Sequence, residues 1–216
     1  MNEPLVLRGY HYSVYNRIAR VALHEKGVEY EVEDINPFSA EIPNDYLKRH
    51  PFRRVPVLSH GTFDVYETAA ITRYVDAAFD GPAMLPDKPE VLARAAQVVS
   101  IVDSYGYSPM VRQVFAHSVF RRAAGVECDE AEVARGLEAS LPVLNALNTL
   151  ASEGHVLDGK TFTIADCHLA PMIAYFRQAP EGADALAQYS ALSEWWNSTT
   201  KRRSMAETDP GLPKTN

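Results

Sequence analysis

Cysteine is scarce in this chain. The 216 residues hold two, Cys128 and Cys167, and no CxxC spacing, so neither a zinc site nor a dithiol redox centre is read and no metal is expected. They read as ordinary thiols of a reducing compartment, with Cys167, in an apolar helical stretch, expected in the core. Long apolar runs are also missing: charged residues, 23% of the chain, break each one short of the ~18 residues that a membrane span needs. Positive charge is in deficit, 21 Lys and Arg against 28 Asp and Glu for a net −7, whereas a nucleic-acid binder carries a basic face. Arg53-Arg54, Arg121-Arg122 and Lys201-Arg202-Arg203 are too short to supply one. The Met-Asn-Glu-Pro start lacks a basic region followed by an apolar stretch, so no secretory signal is read. The expectation is a cytoplasmic protein without nucleic-acid or membrane partners.

The chain does have enough apolar residues, 46%, to bury a core without staples. The first 80 residues mix two periodicities. Leu5-Val6-Leu7, between Pro4 and Gly9, reads as a buried strand. Ser13 opens a helix with Val14, Ile18, Val21, Ala22 and Leu23 on one stripe, closed by Lys26-Gly27. Tyr30 to Glu33 alternates as a strand. Pro37, Pro43 and Pro51 make the next stretch a loop with at most a short helix near Tyr46-Leu47. A hairpin follows, with strands Val55-Leu58 and Phe63-Val65 and a turn at His60-Gly61. From Glu67 a helix carries Ile71, Tyr74, Val75, Ala78 and Phe79. This order predicts an α/β domain over 1–80 with a mixed sheet, a linker at 81–90, rich in proline, and an all-α domain over 91–216. Helical stripes there are Leu92, Ala95, Val99 and Val102; Val133, Leu137, Leu141 and Leu144; Leu169, Met172, Ile173 and Phe176; and Leu186, Tyr189, Leu192 and Trp196. The tail from Glu207 is expected on the surface.

Four features carry more than packing. Pro56 in Arg54-Val55-Pro56-Val57-Leu58 reads as edge punctuation or as a cis proline that leaves the Val55 backbone free to pair with an extended peptide. Glu67-Thr68 at a helix start reads as a solvated charge beside an N-cap, or as a receptor for an α-amino-acid head group, with N–H groups and hydroxyl for the carboxylate and Glu67 for the ammonium. Ser13, after Tyr10-His11-Tyr12, is an N-cap residue; a hydroxyl at a helix N-terminus also stabilises a thiolate. Thr163-Ile164-Ala165-Asp166 is a capping box that starts a buried helix, and no chemistry is assigned to it.

Over nearly its whole length the chain resembles the cytosolic glutathione transferases, of the bacterial, serine-type-like kind. The residues that carry the resemblance are Ser13, then Arg20 to Tyr30, His50-Pro51-Phe52-Arg53-Arg54-Val55-Pro56-Val57-Leu58, Glu67 to Tyr74, and the late Thr163-x-x-Asp166 box. The resemblance implies a thioredoxin-like N-terminal α/β domain, an all-α C-terminal domain, glutathione as co-substrate bound on the first, an electrophile pocket between the two, and a homodimer. It implies that Arg54, Val55 and Pro56 bind glutathione along its middle and that Glu67 and Thr68 hold the γ-glutamyl end. Ser13, with Tyr12 and Tyr10 as rivals, would hold the sulfur. Phe52 would insert into a neighbouring subunit, and Tyr105, Tyr107, Met110, Val111 and Phe115 would line the electrophile pocket.

The chain departs from the family pattern in places. Val14 follows the serine where proline or threonine is usual, Arg54 replaces a glutamine, and Thr68 replaces a serine but keeps the hydroxyl. No basic residue for the glycine carboxylate stands between Phe38 and Pro43, which leaves Lys48, Arg53 or Arg54. The opening loop has no cysteine, against glutathionyl-removing chemistry. The expected function is transfer of the glutathione thiolate to small, mostly hydrophobic electrophiles, as in detoxification. The alternatives are a non-catalytic binding protein of the same fold and a glutathione-dependent isomerase or disulfide reductase.

Overall fold

The computed structural model describes residues 3–214. The chain divides into two compact units, Met1–Ala83 with Thr208–Pro210, and Met84–Glu207 with Gly211–Asn216.

In the first unit the elements are β1 (Leu5–Gly9), α1 (Val14–Lys26), β2 (Glu31–Asp34), α2 (Asn44–Arg49), β3 (Val57–His60), β4 (Phe63–Tyr66) and α3 (Thr68–Ala78). The sheet order is β2-β1-β3-β4, with β1 parallel to β2 and antiparallel to β3, and β3 antiparallel to β4. This is the mixed sheet that the α/β reading requires. Side chains alternate across it. Leu7 pairs with Leu58, and both are fully buried on the face that carries α1 and α3: Gly9 lies against Asn16 of α1, and His60 Nδ1 is 2.8 Å from the Tyr74 hydroxyl of α3. Arg8, Val57, Ser59, Asp64 and Tyr66 share the other face, where α2 packs.

Helix α1 buries Val14, Ile18, Val21, Ala22 and Leu23 and ends at Gly27, whose φ of 67° is the left-handed cap conformation. Lys26 is buried despite its charge. Its Nζ reaches Asp76 of α3 at 3.1 Å and the Pro82 carbonyl at 3.2 Å, so the ammonium is paired as burial demands. The hairpin differs from its sequence reading. β3 starts at Val57 rather than Val55, because Pro56 has no N–H to give the ladder, and Gly61-Thr62 form the turn between the paired His60 and Phe63.

The second unit is helical: α4 (Pro89–Ile101) runs into a π-helical continuation (Val102–Arg121), followed by α5 (Glu130–Ser152), α6 (Ile164–Phe176), α7 (Pro180–Ala187), α8 (Ser190–Thr199) and α9 (Arg203–Glu207). No helix among the described residues is long and apolar enough to cross a membrane. Nearly every residue of α6 is buried, Cys167 included. Three expectations are corrected. On α5, Leu141 is 43% exposed; the buried face runs instead through Gly136, Ser140, Leu144 and Leu147. A Cβ on Gly136 would lie 2.8 Å from the Pro109 carbonyl, so close packing selects small residues there. The stripe from Leu186 to Trp196 is two helices, and the second takes its cap from α5: Asn148 Oδ1 accepts from the N–H groups of Ala191 and Leu192. The tail is not wholly on the surface, since Thr208 is fully buried and its carbonyl accepts from Arg20 of α1.

The capping box forms as read. The Asp166 carboxylate accepts from the Thr163 N–H and hydroxyl, each at 2.8 Å, and from Trp195 Nε1 of α8 at 2.7 Å. Burial pushes this carboxyl up to about 6 from its usual 3.8, against the pull of those donors. A proton held more tightly in the folded chain makes stability fall as pH rises through that interval. Urea melts between pH 4 and pH 7 should show this slope in the wild type and a flatter one in Asp166→Asn; identical slopes would refute the assignment.

Candidate active site

The loop Tyr10-His11-Tyr12-Ser13 joins β1 to α1. The Ser13 N–H donates to the Tyr10 carbonyl at 2.9 Å, and its Oγ caps α1 by accepting from the Asn16 N–H at 3.3 Å. The hydroxyl is thus used as an acceptor, and among the described residues its own hydrogen has no acceptor. Asn16, 1% exposed, donates from Nδ2 to the same Tyr10 carbonyl, and a Cβ on Gly9 would come within 2.2 Å of its Oδ1. Only glycine leaves that space. His11 donates its N–H to Asp34 at 2.8 Å, and its Nε2 is 3.2 Å from the Pro210 carbonyl. The Tyr10 and Tyr12 rings meet edge-on at 5.6 Å. Burial first, then Tyr12 and Asp34, push the Tyr10 phenol up, so it stays protonated at neutral pH.

Across the same unit, the Val55–Pro56 bond is cis, and no hydrogen bond to either backbone group of Val55 occurs among the described residues. The Arg54 carbonyl accepts from the Tyr46 hydroxyl at 2.6 Å. Glu67 sits at φ 68°, a left-handed conformation costing a non-glycine residue about 1–3 kcal/mol. It, and not Thr68, occupies the cap position of α3. Its carbonyl takes the N–H groups of Ala70 and Ile71, and among the described residues those of Thr68 and Ala69 are left as donors of this helix end. The exposed Glu67 carboxylate has no ion-pair or hydrogen-bond partner among the described residues. Beside it His50 is 1% exposed, with its ring 4.8 Å from that of Tyr66. Burial lowers its pKa, Glu67 opposes that shift and Arg54 adds to it, so the imidazole is neutral. Phe52 is 65% exposed, and Arg53 and Arg54 are exposed too.

The predicted electrophile residues all lie on the π-helical continuation of the second unit. Tyr105 is exposed, Tyr107 is half-buried, and Met110, Val111 and Phe115 are buried. Met110 and Phe115 belong to that unit's own packing: Met110 Sδ lies near Gly106, and the Phe115 ring meets Tyr175 at 4.5 Å. Asn16, Tyr46 and His50 were not singled out from the sequence. The available signal for Asn16 was a polar residue on the apolar stripe of α1, opposite Gly9. For Tyr46 it was an aromatic on the short helix read within a proline-rich loop.

Two family models match: glutathione S-transferase, N-terminal domain, over residues 7–83, and glutathione S-transferase, C-terminal domain, over residues 130–196. Together they take in two thirds of the chain. The chain belongs to the glutathione S-transferase family. Among its relatives, glutathione S-transferase F13 of Arabidopsis thaliana is 26% identical over 208 residues, 92% of this chain and 94% of that protein. The transferase also shares its fold with solved structures. Glutathione S-transferase III in apo form superposes with a TM-score of 0.85 at 24% identity, over 99% of this chain and 100% of that one. Glutathione S-transferase I from mais, in complex with an atrazine glutathione conjugate, gives 0.80 at 23% identity over 95% and 96%. The N-terminal match contains Ser13, Val55, Pro56, Glu67 and Thr68, whereas Tyr105 to Phe115 fall between the two matched segments.

As a helix cap in the transferase, Ser13 has a stability role separable from chemistry. Ser13→Ala should cost about 1 kcal/mol of unfolding free energy and Ser13→Thr much less. Denaturant melts check this, and equal midpoints for all three proteins would remove the cap.

Proposed function

We propose that this transferase joins the glutathione thiolate to small, mostly hydrophobic electrophiles, and that it is of serine type, with Ser13 holding the sulfur. The observation that supports this reading best is the Ser13 hydroxyl hydrogen, without an acceptor among the described residues, at the N-terminus of a thirteen-residue helix. A free thiol has a pKa near ~8.5, so a drop of about 2 units, about 2.7 kcal/mol, makes it mostly thiolate at pH 7. One charge-assisted hydrogen bond and a helix terminus supply that much.

Glutathione lies along the first unit. The free N–H and C=O of Val55 pair with its cysteinyl backbone as an added strand would. Glu67 takes the α-ammonium of the γ-glutamyl end, and the Thr68 hydroxyl with the Thr68 and Ala69 N–H groups takes the carboxylate. The thiol proton leaves to solvent, the sulfur forms a bond to the electrophilic carbon, and a leaving group departs with its electron pair or an adduct takes up a proton. Positioning and fixed dipoles carry the rate, with no covalent enzyme intermediate. Tyr105 is the exposed residue of the predicted electrophile set and Tyr107 a half-buried one, and exposed Phe52 is the dimer contact of this reading. Of the relatives named above, the F13 protein comes from Arabidopsis thaliana and the enzyme solved with an atrazine glutathione conjugate from mais. The bacterial, serine-type affinity read from the sequence rests on the Ser13 region alone.

With an aromatic halide as test substrate, Ser13→Ala should lower kcat tenfold or more and abolish the ultraviolet thiolate absorbance of bound glutathione at pH 7. An unchanged rate moves the sulfur to Tyr10 or Tyr12, whereas wild-type binding without thiolate identifies a non-catalytic binder. Glu67→Ala should raise the glutathione Kd by about 10–150-fold, the loss of one charge-assisted hydrogen bond. An unchanged Kd in a titration would take Glu67 out of the site.

A further inference from the structure

We infer that Tyr46 is a positioning residue for glutathione: its buried phenol holds the Arg54 carbonyl so that the Val55 N–H on the same peptide plane points outward to the ligand. The inference rests on the glutathione site proposed above. The Arg54–Val55 peptide is trans, so its C=O and N–H point in opposite directions across one rigid plane. Tyr46, 3% exposed, donates to that carbonyl at 2.6 Å, which draws the oxygen toward α2 and turns the N–H away from it. The Val55 side chain is fixed as well. It packs with Leu47 and Tyr66 against the cluster of Ile35, Ile42, Tyr46 and Val57. One peptide unit is therefore held by its oxygen and by its following side chain, while its N–H is left without a partner among the described residues.

Helix α2 is itself anchored. Arg49, one turn after Tyr46, donates to Asp64 of β4 at 2.6 Å and to Asp45 at 3.2 Å. Asp64 accepts from Ser59 of β3, and Arg8 of β1 donates to Ser59 and to Glu33 of β2, each at 2.6 Å. The phenol is thus carried by a helix tied to the sheet, which gives it a fixed place from which to orient the loop. Burial pushes the Tyr46 phenol well above its ordinary range, so it is a protonated donor at neutral pH.

Tyr46→Phe keeps the ring and removes the donor. The expected result is a glutathione KM raised about fivefold, the scale of one neutral hydrogen bond, with kcat at saturating glutathione and the electrophile KM each within about twofold of wild type. A purely structural role would instead lower the melting temperature and leave this split unmoved. An unchanged glutathione KM, or a fall in kcat alone, overturns the inference. Independently of whether the variant folds, amide NMR of the wild-type protein should show the Val55 N–H shifted and protected on glutathione addition; a Val55 amide that ignores bound glutathione overturns it too. If the wild type binds no glutathione at all, the functional reading fails, and this inference with it. Binding with an indifferent Val55 sinks only the role of Tyr46.

Discussion

The guanidinium of Arg8 is the constraint on which the first unit turns. From β1 it reaches Glu33 on one side and Ser59 on the other, and Ser59 passes the chain to Asp64 and on to Arg49 of α2. All four strands and the short helix meet in this one polar line. Each pair is partly exposed and worth little alone. Its value lies in register: slipping any strand by one residue would move its member to the opposite face, where α1 and α3 lie. The line therefore fixes where α2 stands and, through α2, the loop that leads into Pro56.

On that frame, the groups with chemistry to offer are those the fold leaves unfinished. Among the described residues, Ser13 accepts a hydrogen bond and gives none, Val55 has an idle backbone, and Glu67 carries an unpaired carboxylate at a positive φ. Lys26 and Asp76, by contrast, are a buried pair that the unit closes on itself. Strain and unmet hydrogen-bonding capacity at these positions are the features on which the proposed glutathione site rests.

Much of this was legible in the residues. Period-two and period-3.6 patterns placed β1, α1 and α3, because their buried faces are largely apolar, while β2, exposed at all four residues, was placed by alternation alone. Capping chemistry placed the starts of α1 and α6. What escaped was non-local. The face of α5 runs through Gly136 and Ser140 because a neighbouring helix comes too close for leucine, and the start of α8 is capped by a side chain forty-odd residues earlier. Neither fact has a signal within its own window. In the site, Ser13, Val55 and Glu67 stood out because local rules single them out, whereas Tyr46 and His50 gain meaning only once α2 is docked on the sheet. The residues proposed to line an electrophile pocket were the least legible. They belong to a helix whose hydrogen-bond period departs from 3.6, so spacing does not tell which side of it a residue takes.

The return of Thr208–Pro210 to the first unit has a consequence for biosynthesis. Arg17, Arg20 and His11, all beside the start of α1, take partners from this returning segment. During translation the ribosome has released the first unit's sheet and helices long before it makes that segment, by roughly 6–25 s at ordinary elongation rates. The nascent N-terminal unit therefore lacks these contacts around the serine loop until that segment has been made.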